Sequence, residues 1–472
     1  MKSKYILMVV AGIILSSCSE KKFDEIDTDP KNPVNVPVKS LIPSVTAGVP
    51  YYVNGTELAF YCSVFSEQTA GTYLDMRSAD RRQNINSQLS ENAWQSLYTT
   101  VMMDLNTIIL KGSTGGDEEG NWKYVGIAQV LMAYTMGTTT DIWGRVPFSE
   151  AFQGEKNRKP KYDNQKDIYE KLQSMLDEAI VNLDKDSRQT PGTEDMIYSG
   201  DTEKWKKAAY AVKARLYNHL SKIDPAGSAQ NALNCIAKSF SSSDDDLIFK
   251  KWSGSLDATH QNTWYRESAE RSQMSLSLTM DSLMLKNNDP RLYSFFTGTN
   301  AALNGQSTED PSDRLYSVIS SNVLYPDASL PMITYEEIKF IEAECNLRIG
   351  QSNAANMKYQ HAVYSALKRY GIDSTEVSPI ANLTFYNNVL KKEPEDITVE
   401  LIVKQKYIAL FPFQSVEAYT DWRRTGFPKL KNPLGNPPRR FPYPQNEISS
   451  NGANVPAVVT TSGVWWDDGS ED

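Results

Sequence analysis

Apolar residues recur along most of this chain at intervals of three and four, and that spacing restricts it to packed helices more firmly than any other feature. Trp94, Leu97, Tyr98, Val101, Leu105 and Ile108 fall on one face of a helical repeat. Tyr124, Ile127, Ala128, Leu131 and Tyr134 make a second stripe, Ile168, Leu172, Leu176, Ala179 and Leu183 a third, and Trp205, Ala209, Val212, Leu216 and Leu220 a fourth. A fifth begins near Ala232, and later ones pass through Ile338 and Ile341, through Tyr359, Val363, Ala366 and Tyr370, and through Val416, Tyr419 and Trp422. A helix with one apolar stripe must bury it against another element. The succession therefore predicts a mainly α chain of stacked helix pairs, tetratricopeptide-like in architecture, although no fixed repeat length accompanies it. Alternating, strand-like patterning is scarce.

Three segments break the pattern. "GSTGGDEEG" at 112–120 reads as a flexible helix connector, since its acids would repel a phosphate. Between 241 and 330 the stripes fade and Ser, Asp, Asn and Gly rise while aromatic residues persist, which predicts a long irregular insertion of the kind that often carries function. From Thr425 onward, "TGFPKLKNPLGNPPRRFPYPQNE" holds too many prolines for helix and predicts an extended tail wrapped over the surface.

The N-terminus carries an address. Lys2 and Lys4 precede an apolar run from Tyr5 to Leu15, too short to span a hydrocarbon core of about 30 Å, so it reads as the core of a secretory signal. Small residues Ser16 and Ser17 lead directly into Cys18, and "LSSC" is similar to a bacterial lipobox, in which the cysteine becomes the first mature residue and is acylated. Several acyl chains anchor far more firmly than one, each buried methylene contributing roughly 0.8 kcal/mol. Residues 1–17 are thus expected to be a signal peptide, 18–40 a lipidated, charged and proline-rich tether, and 41–472 the folded domain. The whole chain has a formal charge of -9, and losing Lys2 and Lys4 with the signal takes it to about -11. An acidic chain without a concentrated basic face is a poor partner for nucleic acid. Acylation of Cys18 would leave Cys62, Cys235 and Cys345, an odd number without metal-ligand spacing, and Cys345 sits at helical spacing from Ile338 and Ile341 as a small buried residue.

Catalytic signatures are lacking. His219, His260 and His361 have no partner at metal or triad spacing, and His219 and His361 read as ordinary helix-face residues. Asp244, Asp245 and Asp246 are adjacent but fit no calcium loop, so a solvated turn is the better reading and no metal or cofactor is expected. Carboxylate pairs of a glycoside hydrolase meet only in space, which leaves that activity open from the residues alone. The aromatic residues outside the stripes are more informative: Trp252, Trp264, Tyr265 and Tyr316 from the insertion, with Tyr73 and Arg81 from an early loop, sit beside polar side chains. A flat ring covers the apolar face of a sugar while polar neighbours bond its hydroxyls, so these six are expected to form one ligand-facing patch.

Five stretches then occur in a set order: "TDIWGRVPFSEAF" (140–152), "RKPKYDNQKDIYEKL" (158–172), "GDTEKWKKAAYAVKARL" (200–216), "NDPRL" (288–292) and "QKYIALFPFQSVEAYTDWRRTGFPKL" (405–430). Together with the lipobox, this set resembles the SusD/RagB-like nutrient-binding lipoproteins over nearly the whole chain. The resemblance implies a helical scaffold anchored on the outer surface of the outer membrane, lying as a lid over a SusC-like TonB-dependent transporter. It implies capture of an oligosaccharide, or of a peptide in the RagB-like branch, without catalysis and without a cofactor beyond the lipid on Cys18. The shared stretches read as scaffold: Gly144 and Pro147 turn the chain after Asp141, and Gly426 and Pro428 end a helix closed by Arg423 and Arg424.

Overall fold

Val38, fully buried, opens the first helix of the computed structural model, which describes residues 36–254, 257–298, 300–307 and 316–470. The signal segment, Cys18 and nearly all of the tether lie outside the described residues. The folded body starts a few positions earlier than the boundary at 41 expected from composition. Helix α1 (Val38–Asn54) carries Pro43 and Pro50 inside it, and α2 (Glu57–Phe65) follows after a two-residue link.

The first predicted stripe is built in three pieces. A short α3 (Leu74–Asp80) precedes it; then α4 (Glu91–Gln95) runs through a π-helical turn, Ser96–Met102, into α5 (Met103–Gly112). The glycine-rich connector leads to α6 (Trp122–Trp143), which is buried almost all round. Its threonines are accommodated because the hydroxyls of Thr135, Thr138 and Thr139 donate to the carbonyls of Leu131, Tyr134 and Thr135, one turn back, at 2.8–3.0 Å. The scaffold continues through α7 (Gln165–Asp184), α8 (Thr202–His219), α9 (Pro225–Ile236), α10 (Tyr335–Arg348), α11 (Ser352–Arg369), α12 (Val399–Ala409) and α13 (Ser415–Thr425). From α5 to α11 each helix packs on its chain neighbour, the stacked-pair arrangement that the stripes require. Caps mark the starts: the Asp201 carboxylate accepts from the Lys204 N–H, and the Thr334 hydroxyl from that of Glu337. Among the described residues, no helix is long and apolar enough to cross a membrane.

The segment 241–330 is irregular but not featureless. Short helices occupy Thr263–Arg266, Leu278–Lys286 and Arg291–Phe295, and of three two-stranded antiparallel ladders one ties the segment to the early chain, one joins its two ends and one is internal to it. In them β1 (Thr69–Gly71) pairs with β3 (Met274–Leu276), β2 (Leu247–Phe249) with β6 (Leu330–Ile333), and β4 (Phe296–Thr297) with β5 (Val318–Ile319). Of the aspartate run only Asp244 is exposed to solvent as expected. Asp245 accepts from Lys207 Nζ at 2.8 and 2.9 Å, and Asp246 is ion-paired with Arg369 at 2.5 Å, both carboxylates being buried.

The tail departs furthest from expectation. It holds helical turns at Gln445–Asn451 and Trp465–Asp468, and it re-enters the core instead of remaining on the surface. Gly144, at φ 81°, ends α6 where an added Cβ would lie 2.4 Å from the Arg440 guanidinium. Arg440, fully buried, donates there to the Trp143 carbonyl, and Phe441 packs edge-on against Trp143. Farther on, the Trp466 indole N–H donates to Asp141 at 2.7 Å. Arg423 and Arg424 stand in the last turn of α13 before Gly426, as expected, and both are interior groups. Arg423 donates to the carbonyls of Asp141 and Arg439, and Arg424 pairs with Glu344 and Asp421.

A network of charges fills the interior between α8, α10, α12 and α13. Arg215 grips Glu337 at 2.6 and 2.7 Å; Lys406 lies 2.8 Å from both Glu417 and Asp421. His219 belongs to this network, 3.1 Å from Asp141 on one side and 3.1 Å from Glu417 on the other, so it is a buried ion-pair member and not a helix-face residue. Cys62, Cys235 and Cys345 are free and buried, as the spacing of Cys345 suggested.

Candidate functional site

Two aromatic doublets on the first two helices set up the most distinctive surface. Neighbouring residues on a helix point about 100° apart, so two adjacent rings cannot both enter a narrow apolar stripe. Tyr51–Tyr52 on α1 and Phe60–Tyr61 on α2 obey this rule: all four rings stay partly exposed and line one cleft of 330 Å³. The opposite bank is the stretch from Thr263 to Gln273 in the insertion, and Asp75, Met76, Asn92 and Ser96 close the ends.

The β1–β3 ladder brings these banks together. Gly71 pairs with Met274, and the Thr72 N–H donates to the Gln273 carbonyl at 2.8 Å. Only glycine fits at 71, because a Cβ there would lie 1.9 Å from the Met76 carbonyl oxygen. The rings are braced from behind: Phe60 meets Trp264 edge-on at 4.8 Å between centroids, and Tyr61 stacks on Phe65 at 6.1 Å.

The polar groups of the cleft are of two kinds. Some are held by the fold. Glu57 accepts from the Ala93 N–H at 3.0 Å and from Asn92 Nδ2 at 3.3 Å, which caps α4; burial raises its carboxyl above the usual range, partly offset by those bonds. Glu267 accepts from the Gln273 N–H at 3.1 Å, and burial pushes its carboxyl up to about 7. Arg266 pairs with Glu270 at 3.2 Å. Burial, then the carboxylates of Asp75 and Glu57, raise the Tyr61 phenol. The other kind lies beneath the wall: the Thr263 hydroxyl is buried against Gly55 and has no hydrogen-bond partner. Rings with apolar faces beside carboxylates and an amide suit a ligand dense in C–H faces and hydroxyl groups.

None of the six residues singled out from sequence lines this cleft. Trp264 is a correction: it is fully buried, donates through Nε1 to the Asn54 carbonyl at 2.7 Å, and serves as the prop behind Phe60. Trp252 packs edge-on against Phe249 at 5.1 Å, half-buried on the core, with its indole N–H buried and unpartnered. Tyr265 also packs on the core, one residue before the lining Arg266. Tyr73 occupies the N-cap position of α3, two residues before the lining Asp75. Arg81 donates to the Ser307 carbonyl at 2.9 Å, and Tyr316, partly buried, leads into β5. Of the six, Tyr73, Trp264 and Tyr265 lie within two positions of lining residues in the chain, and none lies on the bank formed by α1 and α2.

A family model described as "Starch-binding associating with outer membrane" matches residues 30–444. Among solved structures, a SusD/RagB family protein from Bacteroides thetaiotaomicron is 26% identical with a TM-score of 0.78, over 92% of this chain and 100% of that one. A chitin-binding SusD homolog from Flavobacterium johnsoniae has a TM-score of 0.75 at 22% identity, over 92% and 99% of the two chains. A SusD homolog from Bacteroides vulgatus has a TM-score of 0.74 at 19% identity, over 92% and 98%. These last two likenesses establish the shared fold. No curated relative matches the sequence.

Proposed function

The chain belongs to the SusD-like family whose members are described as starch-binding and associated with the outer membrane, and from that premise we propose that it is a cell-surface lipoprotein that captures an oligosaccharide without altering it. The observation that carries this reading is the cleft where Tyr51, Tyr52, Phe60 and Tyr61 stand partly exposed beside the carboxylates of Glu57 and Asp75 and the amide of Asn92. Exposed rings in such a wall gain most when a flat C–H face covers them, and polar groups at their edge can bond the hydroxyls of a sugar. The captured glycan passes to a SusC-like TonB-dependent transporter, over which the domain sits as a lid on its tether. Cys18 supplies the anchor.

Calorimetric titration of the mature domain with α-1,4-glucan and N-acetylglucosamine oligomers tests the reading, with the ligand recovered afterwards for sizing. Saturable binding and an intact ligand are expected. Binding of a peptide library with neither oligomer bound would overturn the glycan reading in favour of peptide capture, and shortened products that vanish in Glu267→Gln would overturn the non-catalytic one. In cells, Cys18→Ser should move the protein from the outer-membrane fraction to a soluble one, and mild detergent extraction should co-purify a barrel transporter.

A further inference from the structure

Across one helical ridge from the cleft described above lies a second cleft, of 350 Å³. The same element walls both: Asn92 and Ser96 face the first, while Trp94, Tyr98 and Thr99 face the second. Gln95, exposed and lining the second cleft, follows Asn92 of the first by three positions and hence lies only about 5–6 Å from it at Cβ. At Gln95 the α4 helix gives way to the π-helical turn Ser96–Met102, a distortion that recurs at functional sites.

The second cleft has its own ring wall. Trp94 lies at its floor, stacked on Tyr162 at 6.2 Å, and Tyr98 and Phe152 stack on each other at 6.0 Å. Phe152 has φ 62°, the left-handed region that a bulky side chain rarely occupies. The chain thus holds an aromatic ring at the cleft wall in a conformation that glycine would adopt without strain, a kind of outlier that clusters at ligand clamps. From the far bank come Asn446 and Glu447, the latter accepting from the Tyr162 hydroxyl at 2.8 Å. No lysine or arginine lines this cleft, so it offers nothing to a polyanionic chain.

We propose that this second cleft is a distal subsite for the same oligosaccharide, a neutral or amine-bearing glycan that fills the first cleft, crosses the ridge at Gln95 and lays further sugar units against Tyr98 and Phe152. The inference rests on the reading of the first cleft. What argues for this occupant is the shared wall and the repeated chemistry, rings beside amide and carboxylate groups on either flank of one helix. Its consequence is that the protein selects for chain length, since only a chain long enough to cross Gln95 gains from the second set of rings.

The test compares disaccharides with hexasaccharides of the α-1,4-glucan and N-acetylglucosamine series on the full mature domain. Phe152→Gly removes the ring while relieving the left-handed backbone, and Gln95→Trp blocks the crossing from an exposed position, so at least one variant retains the fold. Hexasaccharide affinity is expected to fall about tenfold in each variant, the scale of one lost stacking contact, with disaccharide affinity unchanged. Equal affinity of the two lengths for the unaltered protein, or equal losses for both lengths in folded variants, would overturn the subsite. Failure of Tyr52→Ala to weaken either length would instead overturn the reading of the first cleft, and failure of both series to bind would overturn both.

Discussion

Around Glu417, in the helical interior, a carboxylate meets Lys406, Arg215 and His219, and every charge is answered by another within 3.5 Å. Around Thr263, at the cleft wall, rings stand partly bare and a buried hydroxyl has no partner. Both regions are rich in rings and carboxylates. They differ in exposure. In the interior the pairs fix how α8, α10, α12 and α13 sit against each other, because removing one member would strand the others without water. At the cleft the same residue types keep one side toward solvent, where a ligand can reach them.

The sharpest way to break this contrast is to remove one interior charge. Arg215→Ala should destabilise the protein by about 3–5 kcal/mol, since it strands Glu337 in the core. Urea unfolding would read the loss, and a change below about 1 kcal/mol would mean the interior network is not self-satisfying.

The next effect is pH-dependent. Burial alone would depress the His219 pKa, but Glu417 and Asp141 outweigh it and raise the imidazole to about 9. A group raised in the folded state stabilises fully below its unfolded value, near 6.5, and that contribution is lost as pH rises through the folded value. The change is on the order of 3 kcal/mol. Unfolding curves between pH 6 and 9.5 should show it, and His219→Gln should flatten it; a slope unchanged by that substitution would remove His219 from the account.

At the cleft the effect of a ring substitution falls on binding, and only its buried prop matches the interior in stability. Tyr52→Ala should weaken glycan binding by about 1–3 kcal/mol, by analogy with base stacking on aromatic rings, with a nearly unchanged melting temperature. Its counterpart Trp264→Ala should lose about 3–5 kcal/mol of stability, because that ring is core. The smallest is Thr263→Val, which removes an unanswered hydroxyl. The protein should keep or slightly raise its melting temperature, by at most about 1 kcal/mol in stability, with affinity unchanged because the hydroxyl lies beneath the cleft surface. A lowered melting temperature would show that the hydroxyl is satisfied within the fold.

How much of this was legible in the sequence follows from the range of the forces involved. Stripes such as Ile168 to Leu183 mark α7 well, because burial of one helix face writes a period into the chain. Helix α1 carries the same mark, Val38, Ile42, Val45, Val49 and Val53 at steps of three and four, but Pro43 and Pro50 inside it and the proline-rich stretch before it conceal the helix. Trp264 was misread because its sequence neighbours are polar; in space Asn262 caps the helical turn through the N–H groups of Trp264 and Tyr265, and the indole finds a backbone carbonyl 210 residues away. The doublets Tyr51–Tyr52 and Phe60–Tyr61 were the signal available for the cleft, being pairs that helical geometry cannot bury together. The prolines of the tail correctly excluded long helices, but composition says nothing of where an extended chain runs, and Arg440 and Trp466 run inward.

That inward course bears on how the molecule is made. Asp141 waits for the Trp466 indole across 325 positions, and Trp143 for Arg440 across 297. During synthesis from the N-terminus, α6 emerges long before the groups that complete its end, and the interior near Asp141 and Trp143 remains open to water until then. Contacts of such separation form late and slowly. A chain cut short between Thr425 and Arg440 would carry all of the stacked helices and still lack its seal, so the length of chain delivered, more than the number of helices formed, decides when this protein becomes folded.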